Sequence, residues 1–271
     1  MSKVHHLDAG TLRPTLGTSI TPSGVLVCRV IVIELESGDL ALIDTGIGAD
    51  ARLDPKRHLG AGAAAALGAD RDPAGTVVAQ LRALGLDPER VTDILITHLD
   101  MDHAAGLSDF PAATVRLHAK ELKAALNPLP AERLRYFRAN WEHGVHWSPF
   151  GAGTPDAELH GLPAFSEVLP GTGILAIPLP GHTRGHTGYA IPQGDGWLVH
   201  AGDTFYVAGQ IADEDHGLPV GWGVAPFEFF AAAMPWKIRS THRKLRALAK
   251  HDDITIVCSH DASLIEPRVA A

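Results

Sequence analysis

Imidazole and carboxylate side chains crowd a short segment that follows an aliphatic run. The sequence ILITHLDMDH, residues 94–103, places His98, Asp100, Asp102 and His103 close together. Imidazole nitrogens and carboxylate oxygens are ordinary ligands of zinc, manganese and non-haem iron. The segment contains no cysteine, which argues against a closed structural zinc site. Taken alone, it predicts either a metal site or a polar loop.

Three later segments repeat the arrangement. PGHTRGHTG contains His182 and His186, HAGDTFY contains Asp203, and CSHD contains His260. Each follows an apolar, strand-like run, as the first cluster does. A strand that ends in such residues holds them on a rigid scaffold. We therefore expect four strands to bring these side chains from their C-terminal ends to one metal centre.

Hydrophobic periodicity and turn-forming residues predict the strands and helices that position this centre. Residues 25–36 and 40–44 predict a strand hairpin that ends at Asp44, and ILIT, ATVRLHA, GILAIP, GWLVH and DITIV predict further strands. Predicted helices cover residues 74–84, KELKAALN and much of 226–250, the last with Ser240 as a cap. Residues 48–73, mixed in Ala, Gly, Asp and Pro, are interpreted as a surface excursion. Strands in runs with helices between them predict a layered α/β protein whose sheets face each other.

Composition bounds the organisation and the partners. The chain has 271 residues and no Pro/Gly/Ser linker, so we expect one domain over 1–271, with an aromatic-rich insertion at about 128–170. The net charge of −8, without a basic run, argues against nucleic acid, and no apolar stretch is long enough for a membrane helix. The N-terminal segment lacks a signal-peptide pattern, which predicts a cytoplasmic protein. Cys28 and Cys258 are predicted to be buried free thiols.

The motifs LIDTG, THLDMDHAAGL, PGHTRGHT, AGDT and SHD, in this order, resemble those of the metallo-β-lactamase superfamily of metallohydrolases. The resemblance implies a four-layer αββα sandwich with two metal ions at one edge of the sheets. It implies that one metal is held by His98, Asp100 and His182, and the other by Asp102, His103 and His260, with Asp203 bridging both. It also implies that Asp44 supports the ligands from behind and that His186 acts through hydrogen bonds.

Within the superfamily, the sequence resembles the N-acyl homoserine lactone lactonases, in which a Tyr follows the bridging Asp by three positions, as Tyr206 follows Asp203. This resemblance implies a hydrolase that attacks a lactone or ester carbonyl with a metal-bound hydroxide. Tyr206 would donate a hydrogen bond to the carbonyl oxygen, and Asp102 would relay a proton to the leaving group. The expected substrate is a small molecule with an apolar part. Oligomeric state is left open.

Asp100 departs from the usual H-x-H-x-D-H motif, which here reads H-x-D-x-D-H. Zinc is the expected metal, and a carboxylate at this position leaves iron or manganese as alternatives. The first metal could shift toward Asp100, change identity, or bind weakly through a bridging water. Three anionic ligands would make a bound water less acidic than in a histidine-rich site. The alternatives are an iron-dependent redox enzyme, resembling diiron oxygen or nitric oxide reductases or thiol dioxygenases, and a binding protein without catalysis.

Overall fold

The computed structural model describes residues 3–212 and 220–264 of the chain. The predicted single domain, 1–271, therefore includes three short stretches that lie outside the described residues. The strands are β1 (Lys3–Asp8), β2 (Arg29–Glu34), β3 (Leu40–Ile43), β4 (Val91–Leu95), β5 (Thr114–His118), β6 (His146–Phe150), β7 (Ala157–Leu159), β8 (Leu162–Ala164), β9 (Leu175–Pro178), β10 (Thr187–Gln193), β11 (Gly196–His200) and β12 (Ile254–Val257).

The α-helices are short, apart from the last. They are α1 (Gly17–Ile20), α2 (Ala49–Leu53), α3 (Pro55–Leu59), α4 (Ala61–Ala66), α5 (Val77–Ala83), α6 (Met101–Ala104), α7 (Ala119–Leu126), α8 (Val224–Ala231) and α9 (Pro235–Leu248). Single 3₁₀ turns occur between them, including one at Gly202–Thr204.

The strands form two main sheets whose parallel strands end at the same edge. The first sheet has six strands in the order β1-β2-β3-β4-β5-β6, and β3 to β6 are parallel. The second has four strands in the order β12-β11-β10-β9. Since β10 is antiparallel to both of its neighbours and β12 is parallel to β11, strands β9, β11 and β12 run in one direction. Strands β7 and β8 form a separate hairpin.

Successive side chains of each strand point to opposite faces of its sheet, which divides the core into layers. Ile31, Ile43 and Leu95 of the first sheet pack against Tyr189 and Leu198 of the second, which fills the space between the sheets. On the other face of the first sheet, apolar side chains of β2, β3 and β4 pack against α5 and α7. On the other face of the second sheet, β9, β10 and β11 pack against α9. The order helix, sheet, sheet, helix is the αββα sandwich predicted from the sequence.

The segment 48–73 differs from the predicted surface excursion, because it folds into the three short helices α2, α3 and α4. Asp54 caps α3 by accepting a hydrogen bond from the backbone of Arg57, and Pro55 follows it. Arg52 is buried and donates to the carbonyl oxygens of Ile47 and Asp72. Tertiary contacts therefore stabilise helices that are too short to be stable alone.

The other predicted helices form with shifted ends. The helix predicted at 74–84 begins as a 3₁₀ turn, and α5 is then capped by Thr76. The prediction that Ser240 caps the last helix is wrong, because α9 begins five residues earlier, at Pro235. The Ser240 hydroxyl instead donates a hydrogen bond within the helix to the carbonyl of Lys237. Helix α7 ends at Leu126 with Asn127 as its C-cap, as predicted.

The aromatic-rich segment from 128 to 170 is partly structural. Its strand β6 extends the first sheet, and Tyr136 and Trp141 are buried in the core beneath that sheet. Phe165 packs between the two sheets. These aromatic side chains therefore contribute packing. Among the described residues, no helix has the length and apolar character needed to cross a membrane.

Candidate metal centre

The loops that follow five strands meet at one edge of the sandwich. Strands β3 and β4 lead to Asp44 and to the cluster at 98–103, while β9, β11 and β12 lead to His182, Asp203 and His260. Because parallel strands point their C-terminal ends in one direction, both sheets direct these residues to a shared edge. All seven predicted ligands come together there, in three overlapping groups of candidate metal-binding side chains.

One group consists of His98, Asp100 and His182, whose inward-facing atoms are mutually close. Oδ2 of Asp100 lies 2.9 Å from Nε2 of His182 and 3.5 Å from Nε2 of His98. We call this group the first subsite. Its two imidazoles and one carboxylate oxygen are suitable ligands for a divalent cation.

The other group consists of Asp102, His103 and His260, which we call the second subsite. Oδ2 of Asp102 lies 3.8 Å from Nε2 of His103 and 3.6 Å from Nε2 of His260. Asp102 is less buried than its neighbours. Of the three side chains in this group, that of Asp102 is therefore the most exposed to solvent.

Asp203 lies between the two subsites. Its Oδ1 is 3.2 Å from Nε2 of His103, and its Oδ2 is 2.8 Å from Nε2 of His260. The same Oδ2 is 3.7 Å from Nε2 of His182 and 4.0 Å from Nε2 of His98. The carboxylate of Asp203 therefore lies within 4.0 Å of imidazole nitrogens from both subsites.

The four imidazoles share one orientation, with Nε2 directed inward and Nδ1 held from outside. Nδ1 of His103 lies 2.8 Å from Oδ2 of Asp44, and Nδ1 of His260 lies 2.8 Å from the carbonyl of Val27. The outer nitrogens of His98 and His182 lie 3.0 Å and 3.3 Å from the hydroxyls of Thr97 and Tyr206, respectively. The carboxylate of Asp44 and the carbonyl of Val27 can only accept, so Nδ1 of His103 and Nδ1 of His260 donate, and each Nε2 of these neutral imidazoles keeps a lone pair for a cation.

Asp44 organises this outer layer from its position at the end of β3. It accepts hydrogen bonds of 2.8 Å from both the backbone N–H and the hydroxyl of Thr97. The Thr97 hydroxyl, having donated to Asp44, is left to accept from Nδ1 of His98. Asp44 has a φ of 60°, a left-handed conformation that Asp and Asn tolerate better than most residues. Asp44 therefore orients two of the imidazoles.

Several inward-facing atoms are left without a well-aligned hydrogen bond. Nε2 of His98, Nε2 of His103 and Oδ1 of Asp203 are buried and lack such a partner among the described residues. Leaving three buried polar atoms unsatisfied is costly unless something else binds them. A cation would contact both nitrogen lone pairs and the carboxylate oxygen. The donor set and these atoms together fit a centre for divalent metal ions.

Charge complementarity within the cluster is visible in its pKa shifts. Burial lowers the pKa of His103, but the charges of Asp203, Asp102 and Asp44 outweigh it and raise this pKa well above its usual value. Burial raises the pKa of Asp203, but His260 and His103 hold it well below its usual value. The carboxylates therefore attract positive charge into the centre. Bound cations would take the place of protons there.

His186 lies beside the centre rather than among the inward-facing ligand atoms. Its Nε2 accepts a hydrogen bond of 3.0 Å from the backbone N–H of Asp203. Gly202 has a φ of +56°, and a Cβ at this position would lie only 2.5 Å from Nε2 of His186. The close approach of the backbone to this ring therefore requires glycine. His186 therefore contacts the loop that carries Asp203 through a hydrogen bond to its backbone.

Tyr206 is almost completely buried against the centre. Its ring stacks on His260 with centroids 5.3 Å apart and an interplanar angle of 2°. Its hydroxyl lies 3.3 Å from Nδ1 of His182. The predicted catalytic hydroxyl is therefore adjacent to the ligands, and it already has one partner there.

Sequence reasoning missed Glu121, a buried carboxylate in α7 that joins two ligand loops. It accepts hydrogen bonds from the backbone of Leu99 and the hydroxyl of Tyr136 through Oε1, and from Thr183 and the backbone of Gly185 through Oε2. Burial raises the pKa of Glu121, and these donated hydrogen bonds oppose the shift. A charged residue in a short amphipathic helix carries no sequence signal of such a contact.

Sequence reasoning also missed Arg135, which lies in the segment after α7. Its Nη1 lies 3.0 Å from Oδ1 and 2.9 Å from Oδ2 of Asp100. Its Nη2 donates to the carbonyl of Ala231, at the end of α8. Burial raises the pKa of Asp100, but the charge of Arg135 and contacts from His98 and His182 hold it well below its usual value. Only the fold brings Arg135 to position 100.

Concave surfaces occur away from the centre as well as beside it. A cleft of about 810 Å³ is lined by residues such as Val4, Trp197 and Asp253, at the opposite end of the second sheet. His160 lies at that end too, with its Nε2 2.9 Å from Oδ2 of Asp253. By contrast, the space beside His182 and Asp203 is only about 10 Å³. The chemistry of the donors, not the size of the cavity, identifies the site.

Comparison with known proteins adds independent findings. A family model described as the metallo-beta-lactamase superfamily matches residues 23–260. A probable metallo-hydrolase of Mycobacterium tuberculosis is 35% identical over 278 residues, which cover 97% of this chain and 82% of that protein. An N-acyl homoserine lactonase of Agrobacterium fabrum is 26% identical over 260 residues, which cover 88% of this chain and 90% of the lactonase.

Solved structures give the same fold. An N-acyl homoserine lactone hydrolase with the product N-hexanoyl-L-homoserine at its catalytic metal centre has a TM-score of 0.69 at 21% identity, over 96% of this chain and 94% of that one. A probable metal-dependent hydrolase from Staphylococcus aureus has a TM-score of 0.70 at 21% identity, over 96% and 89%. A dizinc quorum-quenching lactonase has a TM-score of 0.63 at 16% identity, over 96% and 88%.

Proposed function

Because the chain belongs to the metallo-beta-lactamase superfamily, as its motifs predicted, we propose that it hydrolyses a lactone or a related ester at a centre of two divalent metal ions. That the chain is a metal-dependent hydrolase follows from its family and its metallo-hydrolase relatives. The proposal goes further in naming the substrate class, the two ions and the residues. The lactonase names among its relatives favour the lactone class.

One observation carries the proposal. Seven His and Asp side chains from four separate loops direct their donor atoms inward, and three of these buried atoms lack a well-aligned hydrogen bond. A polar cluster kept only for stability would be expected to satisfy its own members. We infer that His98, Asp100 and His182 would hold one ion and that Asp102, His103 and His260 would hold the other, with Asp203 available to both from its position between the subsites. Zinc is the expected metal.

Bound divalent ions supply Lewis acidity, which lowers the pKa of a water molecule and polarises the substrate carbonyl. Around them, the residues of the chain orient and transfer protons. Asp102 supplies the carboxylate of the second subsite and is its most exposed side chain, and we assign to it the transfer of a proton from the attacking water to the leaving alkoxide. Asp44 keeps His103 in the tautomer that presents Nε2 to the centre.

We assign to Tyr206 a hydrogen bond to the carbonyl oxygen, which becomes negative as the water attacks. Its phenol is suited to this role because burial raises its pKa well above the usual value, so that it stays protonated. Its position beside His182 and His260 places it at both subsites. The substrate is proposed to be a small molecule with an apolar part.

The experiment combines metal analysis of the purified protein with turnover of a panel of lactones, esters and thioesters. We expect two zinc ions per chain, and lactone hydrolysis that is lost on chelation and regained with zinc. Stoichiometric iron with an oxygen-dependent reaction would instead support the redox alternative, which finds no support among the relatives named above. A protein without stoichiometric metal or turnover would be a binding protein.

A further inference from the structure

The carboxylate of Asp100 faces two different kinds of partner. Oδ2 lies 2.9 Å from Nε2 of His182, so this oxygen is directed into the first subsite. A single nitrogen of Arg135, Nη1, lies within 3.0 Å of both carboxylate oxygens. The two side chains are mostly buried, with 13% of Asp100 and 15% of Arg135 exposed. The ion pair is therefore shielded from water much more than a surface pair is.

Arg135 makes no other contact with a carboxylate in the described part of the chain. Its remaining hydrogen bond, through Nη2, goes to the backbone carbonyl of Ala231, which anchors the guanidinium from the other side. The guanidinium group stays protonated at any pH at which the protein is folded. Its positive charge is thus fixed beside Asp100, the one carboxylate within ion-pair distance of it in the described part of the chain.

A charge count shows what this pair does to the first subsite. The usual H-x-H-x-D-H motif, from which this chain departs, has an imidazole at the position of Asp100. A carboxylate alone would add one negative charge to the centre, and the guanidinium adds one positive charge beside it. The pair sums to zero, as an imidazole does, while Oδ2 remains directed toward the subsite.

We propose that Arg135 cancels the charge of Asp100, so that Asp100 and Arg135 together replace one neutral imidazole of the metal centre. This inference rests on the two-metal centre of the proposed function. It also revises the expectation that three anionic ligands leave a bound water less acidic, because Arg135 offsets one of the three charges. Neither residue alone is equivalent to the imidazole, so their effects on metal binding must be coupled.

A double-mutant cycle on metal affinity tests this coupling. In Asp100→His, the positive charge of Arg135 remains beside a neutral ligand, and we expect the first metal to bind about 10–100-fold more weakly. In Arg135→Met, the charge of Asp100 is no longer cancelled, and we expect the first metal to bind at least as tightly as in the wild type. In the double variant, we expect affinity within a few-fold of the wild type.

The readouts do not depend on turnover. Affinity is measured by competition with a chromophoric chelator, and the visible spectrum of the cobalt-substituted protein reports the ligand geometry. Arg133→Met is the matched control, because it removes the same charge from an exposed side chain two residues away. It should leave both affinities unchanged. Circular dichroism verifies that every variant is folded.

If Asp100→His does not fold, Asp100→Asn replaces it, since the amide is nearly isosteric and also neutral. A double variant that binds more weakly than the Asp100 single variant overturns the inference, as does Arg135→Met with weakened binding of the first metal. Coupled affinities without hydrolysis of any lactone or ester would contradict the proposed function and leave this inference standing. Hydrolysis of a lactone or ester, together with additive effects of the two substitutions on metal affinity, would support the proposed function and overturn this inference.

Discussion

Oδ2 of Asp44 lies 2.8 Å from Nδ1 of His103, on the side of the imidazole that faces away from the candidate metal centre. The opposite nitrogen, Nε2, faces Asp203 at 3.2 Å. The imidazole thus connects a buried carboxylate on the first sheet with one that follows the second sheet. Removing the acceptor at Asp44 should therefore lower the affinity of the centre for metal.

Asp44→Asn is expected to lower metal affinity by about 10–100-fold, because both carboxylate oxygens of Asp44 accept and the amide nitrogen would face a donor at one of the two positions. Asparagine tolerates the left-handed backbone at this position, so the fold should be kept. Chelator competition measures the affinity. Asp39→Asn, at the other end of β3, is the control and should bind metal as the wild type does. Unchanged affinity in Asp44→Asn would contradict the supporting role of Asp44.

Tyr206→Phe separates two roles of the phenol. If the hydroxyl stabilises the developing negative charge, kcat should fall by about 10²–10³-fold while metal content stays at the wild-type level. The ring that stacks on His260 is retained in this variant. Steady-state kinetics and metal analysis are done on the same preparation. Metal loss in proportion to activity loss would show instead that the hydroxyl serves to orient His182.

Glu121→Gln should destabilise the protein by about 2 to 4 kcal/mol, because the amide nitrogen cannot accept the hydrogen bonds that one carboxylate oxygen receives. Urea unfolding of the metal-free protein measures the change. Glu158→Gln, an exposed position on β7, provides the comparison and should change stability little. A Glu121→Gln variant as stable as the wild type would mean that these hydrogen bonds contribute little.

The ionisation of Asp109 should make the free energy of unfolding depend on pH. Burial, together with the nearby charge of Asp50, raises the pKa of Asp109 to about 6, although the backbone N–H of Ala49 opposes the shift. A carboxyl whose pKa is higher in the folded than in the unfolded state favours folding at low pH. This contribution is lost as the pH rises from about 4 to about 6.

Asp109→Asn keeps an oxygen that can accept from Ala49 and removes the cost of ionisation. We expect this variant to be more stable than the wild type by about 1 to 3 kcal/mol at pH 8, with no such gain at pH 4. Urea unfolding of the metal-free proteins at both pH values makes the comparison, and Asp195→Asn, in an exposed turn, is the control. An equal gain at both pH values would rule out the ionisation of Asp109 as its cause.

The sequence predicted those parts of the centre that depend on local pattern. An apolar run followed by His and Asp marks a strand end, so the positions of His182, Asp203 and His260 at strand ends could be predicted, and the structure brings them together. The αββα order followed from strand runs and from the family motifs. Both rest on signals carried within a few neighbouring residues.

Contacts between distant loops could not be predicted in this way. Arg135 reaches Asp100 from a segment without clear periodicity, and Glu121 reaches Gly185 from an ordinary amphipathic helix. Each contact depends on how helices and loops pack against each other, and the residue type alone does not predict it. The helices between 49 and 66 were missed for a similar reason, since contacts such as those of Arg52 stabilise them.

The two sheets contribute unequal shares of the centre. Four side chains follow β4 of the first sheet, namely His98, Asp100, Asp102 and His103, and three follow strands of the second sheet, namely His182, Asp203 and His260. A cation held by both sets would be a crosslink between chain segments far apart in sequence. Because such an ion binds the folded chain and not the unfolded one, it adds its binding free energy to stability. Stripping the metal should therefore loosen the seam between the halves of the sandwich as well as abolish hydrolysis.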